Sequence, residues 1–176
     1  FIDCQMFFNF LADKKEGKLH LNAYAGIPEE TAKTIEWLDY GQAICGCAAR
    51  QGCRIVAEHI PTAGDPRTDL VKSFGVKAYA CHPIMFKDEV LGTLSFGSTT
   101  QETFDTEQLS LMRIIADQVT LAVVRKRDER NLLESERTRA QLAETLVSEI
   151  GHRTKNNLAI VSGLLQMQMD QEGEDT

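Results

Sequence analysis

The stretch GVKAYACHPIMFKDEVLGTLSFG, residues 75–97, decides the fold predicted for this chain. Two largely apolar runs, residues 76–86 and 90–97, flank the charged segment 87–89. Runs of this length that contain β-branched and aromatic residues and are joined by a polar turn predict a β-hairpin. The stretch therefore indicates an antiparallel sheet.

A second hairpin is predicted near the start of the chain. Residues 4–10 and 19–25 alternate along the chain, and the charged segment 13–17 separates them. A period of two places one set of side chains on one face of each strand. The residues of that face are Cys4, Met6, Phe8, Phe10, Leu19, Leu21, Ala23 and Ala25.

Short helices are predicted between the strands. Pro28 opens one helix, and a second helix over residues 42–51 ends at Gly52, because glycine adopts a left-handed cap at little cost. A third helix begins after Asp65 and ends at Gly75. Strands mixed with short helices indicate an α+β domain with helices flanking the sheet.

One long helix is predicted from Asp105 onward. Asp105 can cap its start together with Gln108, and no proline follows, so the helix can run for about sixty residues. Apolar residues recur at heptad a and d positions, which favours a parallel coiled-coil homodimer. Lys126, Glu129 and Glu136 interrupt the seam. Its apolar members are Met112, Ile115, Val119, Ala122, Leu133, Ala140, Ala143, Val147, Ile150, Val161 and Leu164.

The balance of charges argues against nucleic acid and membrane surfaces as partners. The chain has 19 Lys and Arg against 26 Asp and Glu, a net charge of -7, whereas binders of nucleic acid or anionic membranes normally carry a basic face. No apolar run approaches the roughly 20 residues that a membrane-spanning helix needs. We therefore expect a cytoplasmic protein without a membrane segment.

The five cysteines predict reduced thiols, because their number is odd and the chain is long enough to form a core without disulfides. Cys45, Cys47 and Cys53 are candidates for a metal site or a redox switch, but they lack the C-x-x-C spacing of structural zinc sites. Cys81 and His82 are adjacent on a predicted strand, so they point to opposite faces and do not share one ion. We expect core packing and no metal.

The segment EIGHRTKNNL, residues 149–158, carries the chemistry of the long helix. His152 takes heptad position f and is predicted to face water, where a neutral imidazole can accept a phosphoryl group. Glu149 lies one turn before His152, and Asn156 lies one turn after it. At this spacing Glu149 can orient the ring or accept its proton, while Lys155 and Asn156 can hold phosphoryl oxygens.

This segment, with VSGLLQ at residues 161–166, closely resembles the phosphoacceptor helix of sensor histidine kinases that carry an H-R-x-K-N-x-L box. The resemblance covers residues 143–168. It implies that His152 is autophosphorylated from ATP and passes the phosphoryl group to an aspartate of a response regulator. Arg153, Lys155 and Asn156 of the box, with Glu149, become candidate catalytic residues.

The same resemblance implies parts that these 176 residues do not contain. They are the second helix of the phosphoacceptor bundle and the ATP-binding domain, which would hold ATP and magnesium. We therefore expect a fragment of a longer protein that is not a working kinase alone.

The first part of the chain resembles GAF domains, which are small-molecule-binding modules with a PAS-like antiparallel sheet. The matching text lies at residues 41–52, 65–67, 75–83 and 90–97. The family usually begins with a helix that is absent before the first strand of this chain. Ligands of the family bind between the sheet and the helices, which implies a site formed by Ile44, Cys47, Asp65, Phe74, Tyr79 and Cys81. The resemblance does not identify the ligand.

Together these observations predict three regions: a GAF sensor domain over residues 1–124, a coiled-coil signalling linker over 125–142, and the first helix of a dimerisation and phosphotransfer domain over 143–176. The expected function is a sensor in which a small-molecule or redox signal controls phosphorylation of His152. Two alternatives stay open. One is a ligand-binding GAF dimer without a kinase role, and the other is a GAF-type methionine sulfoxide reductase.

Overall fold

The computed structural model describes residues 2–174, apart from the side chains of residues 151, 156–157, 159–161 and 164–174. Internal contacts divide the chain into two compact units, Phe1–Arg125 and Lys126–Thr176. The first unit contains the sheet and the short helices, and the second is helical.

Six antiparallel strands form one sheet in the order β3-β2-β1-β6-β5-β4. This confirms the predicted α+β fold with an antiparallel sheet. The strands are β1 (Met6–Asp13), β2 (Lys18–Ala25), β3 (Trp37–Leu38), β4 (Ile55–Ala57), β5 (Ala78–Phe86) and β6 (Glu89–Ser98).

The hairpin of β5 and β6 has the tight turn that its sequence predicts. Phe86 pairs with Glu89, so Lys87 and Asp88 alone form the connection. Both residues have positive φ, 49° and 64°. Two-residue hairpins favour this left-handed conformation because it matches the twist of the strands.

The predicted β1–β2 hairpin forms, but its predicted single apolar face was wrong at both ends. A register shift between Asn9 and Phe10 places Tyr24, not Ala23 or Ala25, opposite Phe8 in the core, and Cys4 packs with the core cluster on the other side of the sheet. Asp13 begins the turn of the hairpin, and the Asp13 carboxylate accepts hydrogen bonds from the backbone N–H groups of Lys15 and Glu16 at 2.8 and 3.0 Å. Strand β3 was not predicted, because two residues show no measurable periodicity.

The short helices lie against one face of the sheet. They are α1 (Glu29–Thr34), α2 (Ala43–Gln51) and α3 (Asp69–Ser73), with a 3₁₀ turn at Pro66–Thr68 before α3. Gly52 ends α2 in the left-handed conformation with φ 64°, as its sequence predicts. The core on this face combines Phe8, Phe10 and Tyr79 of the sheet with Ile44 and Ala48 of α2.

The long helix α4 (Thr106–Glu174) begins with a reciprocal cap. Gln108 N–H donates to the Asp105 carboxylate at 2.7 Å, and Asp105 N–H donates to the Gln108 side-chain oxygen at 3.0 Å. This confirms the predicted cap, which satisfies two N–H groups that a helix start leaves unpaired.

The first turns of α4 cover the other face of the sheet. Met112 is fully buried and Ala116 nearly so, in one cluster with Ala80, Leu94 and Phe96 of the sheet. Ile115 and Val119 pack against the same cluster. The predicted dimer seam was therefore wrong for Met112, Ile115 and Val119, because these residues pack on the apolar face of the sheet.

Candidate functional site

A small cavity lies between the sheet and the helices that cover its first face. Phe8, Phe10 and Tyr79 form its sheet side, and Ile44 and Cys45 approach from α2. The enclosed space is about 10 Å³, which is close to the minimum that holds one water molecule. Its other lining residues are Ile35, Leu38, Ala43, Leu70 and Val71.

Two of the predicted ligand-binding residues, Ile44 and Tyr79, line this cavity. Cys81 does not line it but lies fully buried in the same core. Cys45 lines it although the sequence analysis did not select this residue for the site. The sequence could have identified Cys45 as a core-facing residue, because Cys45 and Ala49 are one helical turn apart on a helix with an apolar face.

The other three predicted ligand-binding residues also lie outside the lining. The Cys47 thiol donates to the Gly41 carbonyl oxygen at 3.1 Å. Asp65 caps the 3₁₀ turn and forms an ion pair with Arg67, 2.7 Å from Nη2 to Oδ2. Phe74 packs its ring against another phenylalanine of the core, with centroids 6.2 Å apart. These three side chains therefore contact local turns and the core and do not line the cavity.

Beneath the cavity, buried polar groups form a chain of hydrogen bonds. Tyr79 Oη donates to Ser95 Oγ at 2.7 Å, and Ser95 Oγ donates to the Phe8 carbonyl oxygen at 3.1 Å. The Cys45 sulfur lies 3.2 Å from Tyr79 Oη and 3.6 Å from Ser95 Oγ. A fully buried polar side chain needs such partners, so the chain fixes the position of the Cys45 thiol.

The thiols of Cys45 and Cys81 have opposite ionisation tendencies. Hydrogen bonds with Cys81, then with Tyr79 and Ser95, lower the pKa of Cys45 to about 7 against the effect of burial. Burial raises the pKa of Cys81 well above its usual range. Cys45 is thus the thiol that ionises first, while Cys81 stays protonated and donates to it.

On the opposite face of the sheet, His82 is buried without a hydrogen-bond partner. Its exposed fraction is 4%, and among the described residues neither ring nitrogen finds a partner. Burial, followed by the charge of Arg54, lowers the pKa of His82 to about 4; Arg113 acts in the same direction and Asp117 opposes them. His82 is therefore neutral near pH 7, with its ring edge against Phe96.

The second candidate site is the exposed face of α4 around His152. His152, Lys155 and Arg153 are exposed, and Arg153 Nη2 donates to Glu149 Oε1 at 2.6 Å. Glu149, one helical turn before His152, lines the same open helix face as His152. The side chain of Asn156 lies outside the described residues.

Family comparison identifies the first unit. The family model described as GAF domain matches residues 1–124. The chain belongs to the GAF domain family. No curated protein matches the chain significantly in sequence.

Three solved structures show the shared GAF fold. The GAF domain region of a putative membrane protein from Geobacter sulfurreducens PCA has 25% identity and a TM-score of 0.59, over 69% of this chain and 82% of that one. A domain of a putative two-component sensor histidine kinase from Sinorhizobium meliloti 1021 has 16% identity and a TM-score of 0.57, over 72% and 82%. Type II free methionine-R-sulfoxide reductase from Thermoplasma acidophilum has 16% identity and a TM-score of 0.54, over 69% and 79%.

A second family model, described as histidine kinase, matches residues 149–176. It begins at Glu149 and includes His152, so the resemblance to a sensor histidine kinase is confirmed. The chain joins a GAF domain to a histidine kinase segment. Among the described residues, no group of three or more His, Cys, Asp or Glu side chains is placed to hold a metal ion, and none of their helices is long and apolar enough to cross a membrane.

Proposed function

We propose that this chain is the sensory and phosphoacceptor part of a cytoplasmic two-component histidine kinase. In this proposal the GAF domain receives a chemical signal and controls autophosphorylation of His152 from ATP. The phosphoryl group then passes to the receiver domain of a response regulator. ATP and magnesium belong to the ATP-binding domain of the parent protein.

The single observation that carries the proposal is the exposed His152 within the segment that matches histidine kinases. A nucleophile that meets an ATP-binding domain and then a receiver domain must be accessible, and the imidazole on this helix face is exposed. In this proposal the Glu149 carboxylate, which pairs with Arg153 at 2.6 Å, orients the ring or takes its proton. Lys155 supplies a positive charge one turn away for phosphoryl oxygens.

Helix α4 provides a route for the signal. Its residues Met112 and Ala116 are part of the core of the GAF domain, and the same helix contains His152. A change in the packing of the sheet against these residues alters the equilibrium between helix conformations. In this proposal, helix α4 thus connects the core of the GAF domain to the phosphoacceptor histidine.

The proposal includes a parallel homodimer through the later part of α4. Among its predicted seam residues, Leu133, Val147 and Ile150 are 50%, 71% and 63% exposed. Large apolar side chains at heptad spacing are stabilised when they pack against the same seam of a second chain. The dimer seam thus begins beyond the residues that cover the sheet.

The deciding experiment is phosphorylation of the full-length parent protein with labelled ATP and magnesium. We expect acid-labile, alkali-stable label in the wild type and none in His152→Ala. The matched control is His20→Ala, which removes another partly exposed histidine, and it should retain the label. Equal labelling of wild type and His152→Ala would refute the phosphoacceptor assignment.

Glu149 and Arg153 are tested in the same assay. Glu149→Gln removes the carboxylate but keeps the shape of the side chain, so we expect a slower rate of labelling by about 10²-fold if it takes the proton of the ring. Arg153→Lys keeps the positive charge near Glu149 and should be milder than Arg153→Ala. An unchanged rate in Glu149→Gln would remove Glu149 from the catalytic set.

A sulfoxide reductase is the second candidate, because Cys45 lines the cavity and Cys81 lowers the pKa of the Cys45 thiol. A solved free methionine-R-sulfoxide reductase also shares the fold. The cavity of about 10 Å³ is, however, much smaller than a methionine sulfoxide side chain. A turnover assay with free methionine sulfoxide and a thiol reductant separates the two functions, and we expect no turnover.

A further inference from the structure

Two buried thiols meet at the wall of the GAF cavity. Cys45 belongs to α2 and Cys81 to β5, and their exposed fractions are 4% and 0%. Both are reduced. Most buried cysteines pack as small apolar groups, but a pair at a cavity is a different arrangement because its members can react with each other.

Ser95 brings these two side chains together. Cys81 pairs with Ser95 across β5 and β6, so their side chains lie side by side on the same face of the sheet. The Cys45 sulfur approaches the same Ser95 hydroxyl from α2, at 3.6 Å. Among the groups around Cys45, the Cys81 thiol also has the largest effect on its pKa, which it lowers.

The pair has the asymmetry that stepwise thiol oxidation requires. Cys45 ionises near pH 7 because of its hydrogen bonds, whereas burial keeps Cys81 protonated. A thiolate attacks an oxidant, and a neighbouring thiol then attacks the oxidised sulfur. Cys45 fits the first role and Cys81 the second.

Access to the pair is limited by size. Cys45 lines the cavity and Cys81 lies behind its wall. The space of about 10 Å³ admits a molecule of roughly the size of water. Hydrogen peroxide has two heavy atoms and is the oxidant class closest to this limit, whereas alkyl hydroperoxides carry a bulky group.

We propose that Cys45 and Cys81 form a dithiol that hydrogen peroxide oxidises to a disulfide inside the GAF domain. The Cys45 thiolate attacks a peroxide oxygen, so that an S–O bond forms, the O–O bond breaks, and the leaving hydroxide takes a proton to become water. Cys81 then attacks the Cys45 sulfenic acid; the S–S bond forms, the S–O bond breaks, and the departing hydroxide takes the Cys81 proton. Two thiols are oxidised, and one peroxide is reduced to two waters.

The disulfide would link α2 to β5 through a covalent bond. Transfer of this change to His152 rests on the function proposed above, whereas the thiol chemistry does not. The oxidation of the two thiols is therefore tested without ATP. If it fails, the phosphorylation of His152 can still be tested by its own experiment, and the reverse also holds.

The test is intact mass and peptide mapping of the folded chain after treatment with hydrogen peroxide. We expect the loss of two hydrogen atoms and a peptide pair that joins Cys45 to Cys81. Cys81→Ser should instead gain one oxygen on Cys45, and Cys45→Ser should lose the linked pair. Cys53→Ser, which removes an exposed thiol, is the matched control and should retain it.

A second measurement uses the wild type alone and so does not depend on the folding of a variant. With tert-butyl hydroperoxide at equal concentration we expect formation of the linked pair to slow by about tenfold or more, since oxidation follows the access of the oxidant to the thiolate. Equal rates for the two peroxides would overturn entry through the cavity. A disulfide that forms only after denaturation, or that joins Cys53 instead, would overturn the dithiol itself.

Discussion

The early and late parts of α4 share one apolar periodicity but differ in what covers it. In the early part Met112 is fully buried and Ala116 is 4% exposed, because the sheet lies against them. In the late part Val147 and Ile150 are 71% and 63% exposed. Periodicity therefore defines the face of a helix that needs a partner, and it does not identify the partner.

The difference has a physical origin in the charged residues between the two parts. From Arg125 to Arg139 the helix surface carries many charges and few apolar side chains, which favour contact with water. Before this stretch, the apolar sheet face covers Met112 and Ala116; after it, Val147 and Ile150 stay exposed. The same heptad spacing of apolar residues therefore serves packing on the sheet in the early part and the proposed dimer in the late part.

The largest expected effect comes from the buried part of the helix. Met112→Ala should lower the free energy of unfolding of the GAF domain by about 3 kcal/mol, because it leaves a cavity between the helix and the sheet. The measurement is urea unfolding followed by the fluorescence of Trp37, the single tryptophan. Val147→Ala is the matched control and should change this free energy by less than about 0.5 kcal/mol. Equal effects of the two variants would contradict the division of the helix.

Acid should destabilise the interface between the helix and the sheet through His82. Its folded-state pKa of about 4 lies below the ordinary value of 6.5, so the unfolded chain binds the proton more tightly. The stability from neutral His82 is present above pH 6.5 and is lost as pH falls towards 4, by about 3 kcal/mol.

His82→Phe tests this effect, because it retains an aromatic ring without a titrating group. Between pH 6.5 and 4 the wild type should lose more stability than the variant in urea unfolding followed by circular dichroism. Arg54, Arg113 and Asp117 are the charged groups near the ring, and they are unchanged in both proteins. Parallel losses in the two proteins would show that His82 does not titrate in this window.

A smaller effect is expected in the late part of the helix. Val147→Asn places a polar group in the proposed dimer seam and should raise the dissociation constant of the dimer about tenfold, or about 1.4 kcal/mol. Sedimentation equilibrium measures this constant. Leu121→Asn changes an exposed residue of the early part and should leave dimerisation unchanged. A dimer that responds only to Leu121→Asn would move the seam into the early part.

The smallest effect concerns the start of the helix. Asp105→Ala removes the acceptor of the Gln108 N–H bond and should lower the stability of the GAF domain by about 1 kcal/mol. Thermal unfolding measures the change. Asp128→Ala, an exposed acidic residue further along the helix, is the control and should have little effect. No difference between the two would mean that the cap adds nothing to stability.

Much of the fold was predictable from short segments. The β5–β6 hairpin, the Gly52 helix end and the Asp105 cap were all predicted, since each depends on residues within about four positions of one another. The two-residue strand β3 was missed for the opposite reason. It exists only because Leu19 and His20 of β2 pair with Leu38 and Trp37.

The candidate site was predictable only in part. The segment around His152 was found from its sequence, because its residues share one helix face by spacing alone. Cys45 and Tyr79 are 34 residues apart, and Cys45 was not selected for the cavity. Asp65 and Phe74 lie outside the cavity lining because local caps and core packing use their side chains.

The sequence by itself determined the local elements, the GAF resemblance and the exposed histidine of the segment that resembles histidine kinases, because all three are encoded in periodicity, caps and contiguous motifs. Only the tertiary structure decided that Cys45 faces Cys81, that His82 is buried without a partner, and that the sheet covers Met112. These facts depend on strand register and on which helix packs on which face. Such long-range contacts arise from the combined packing of many residues, so no single segment contains them.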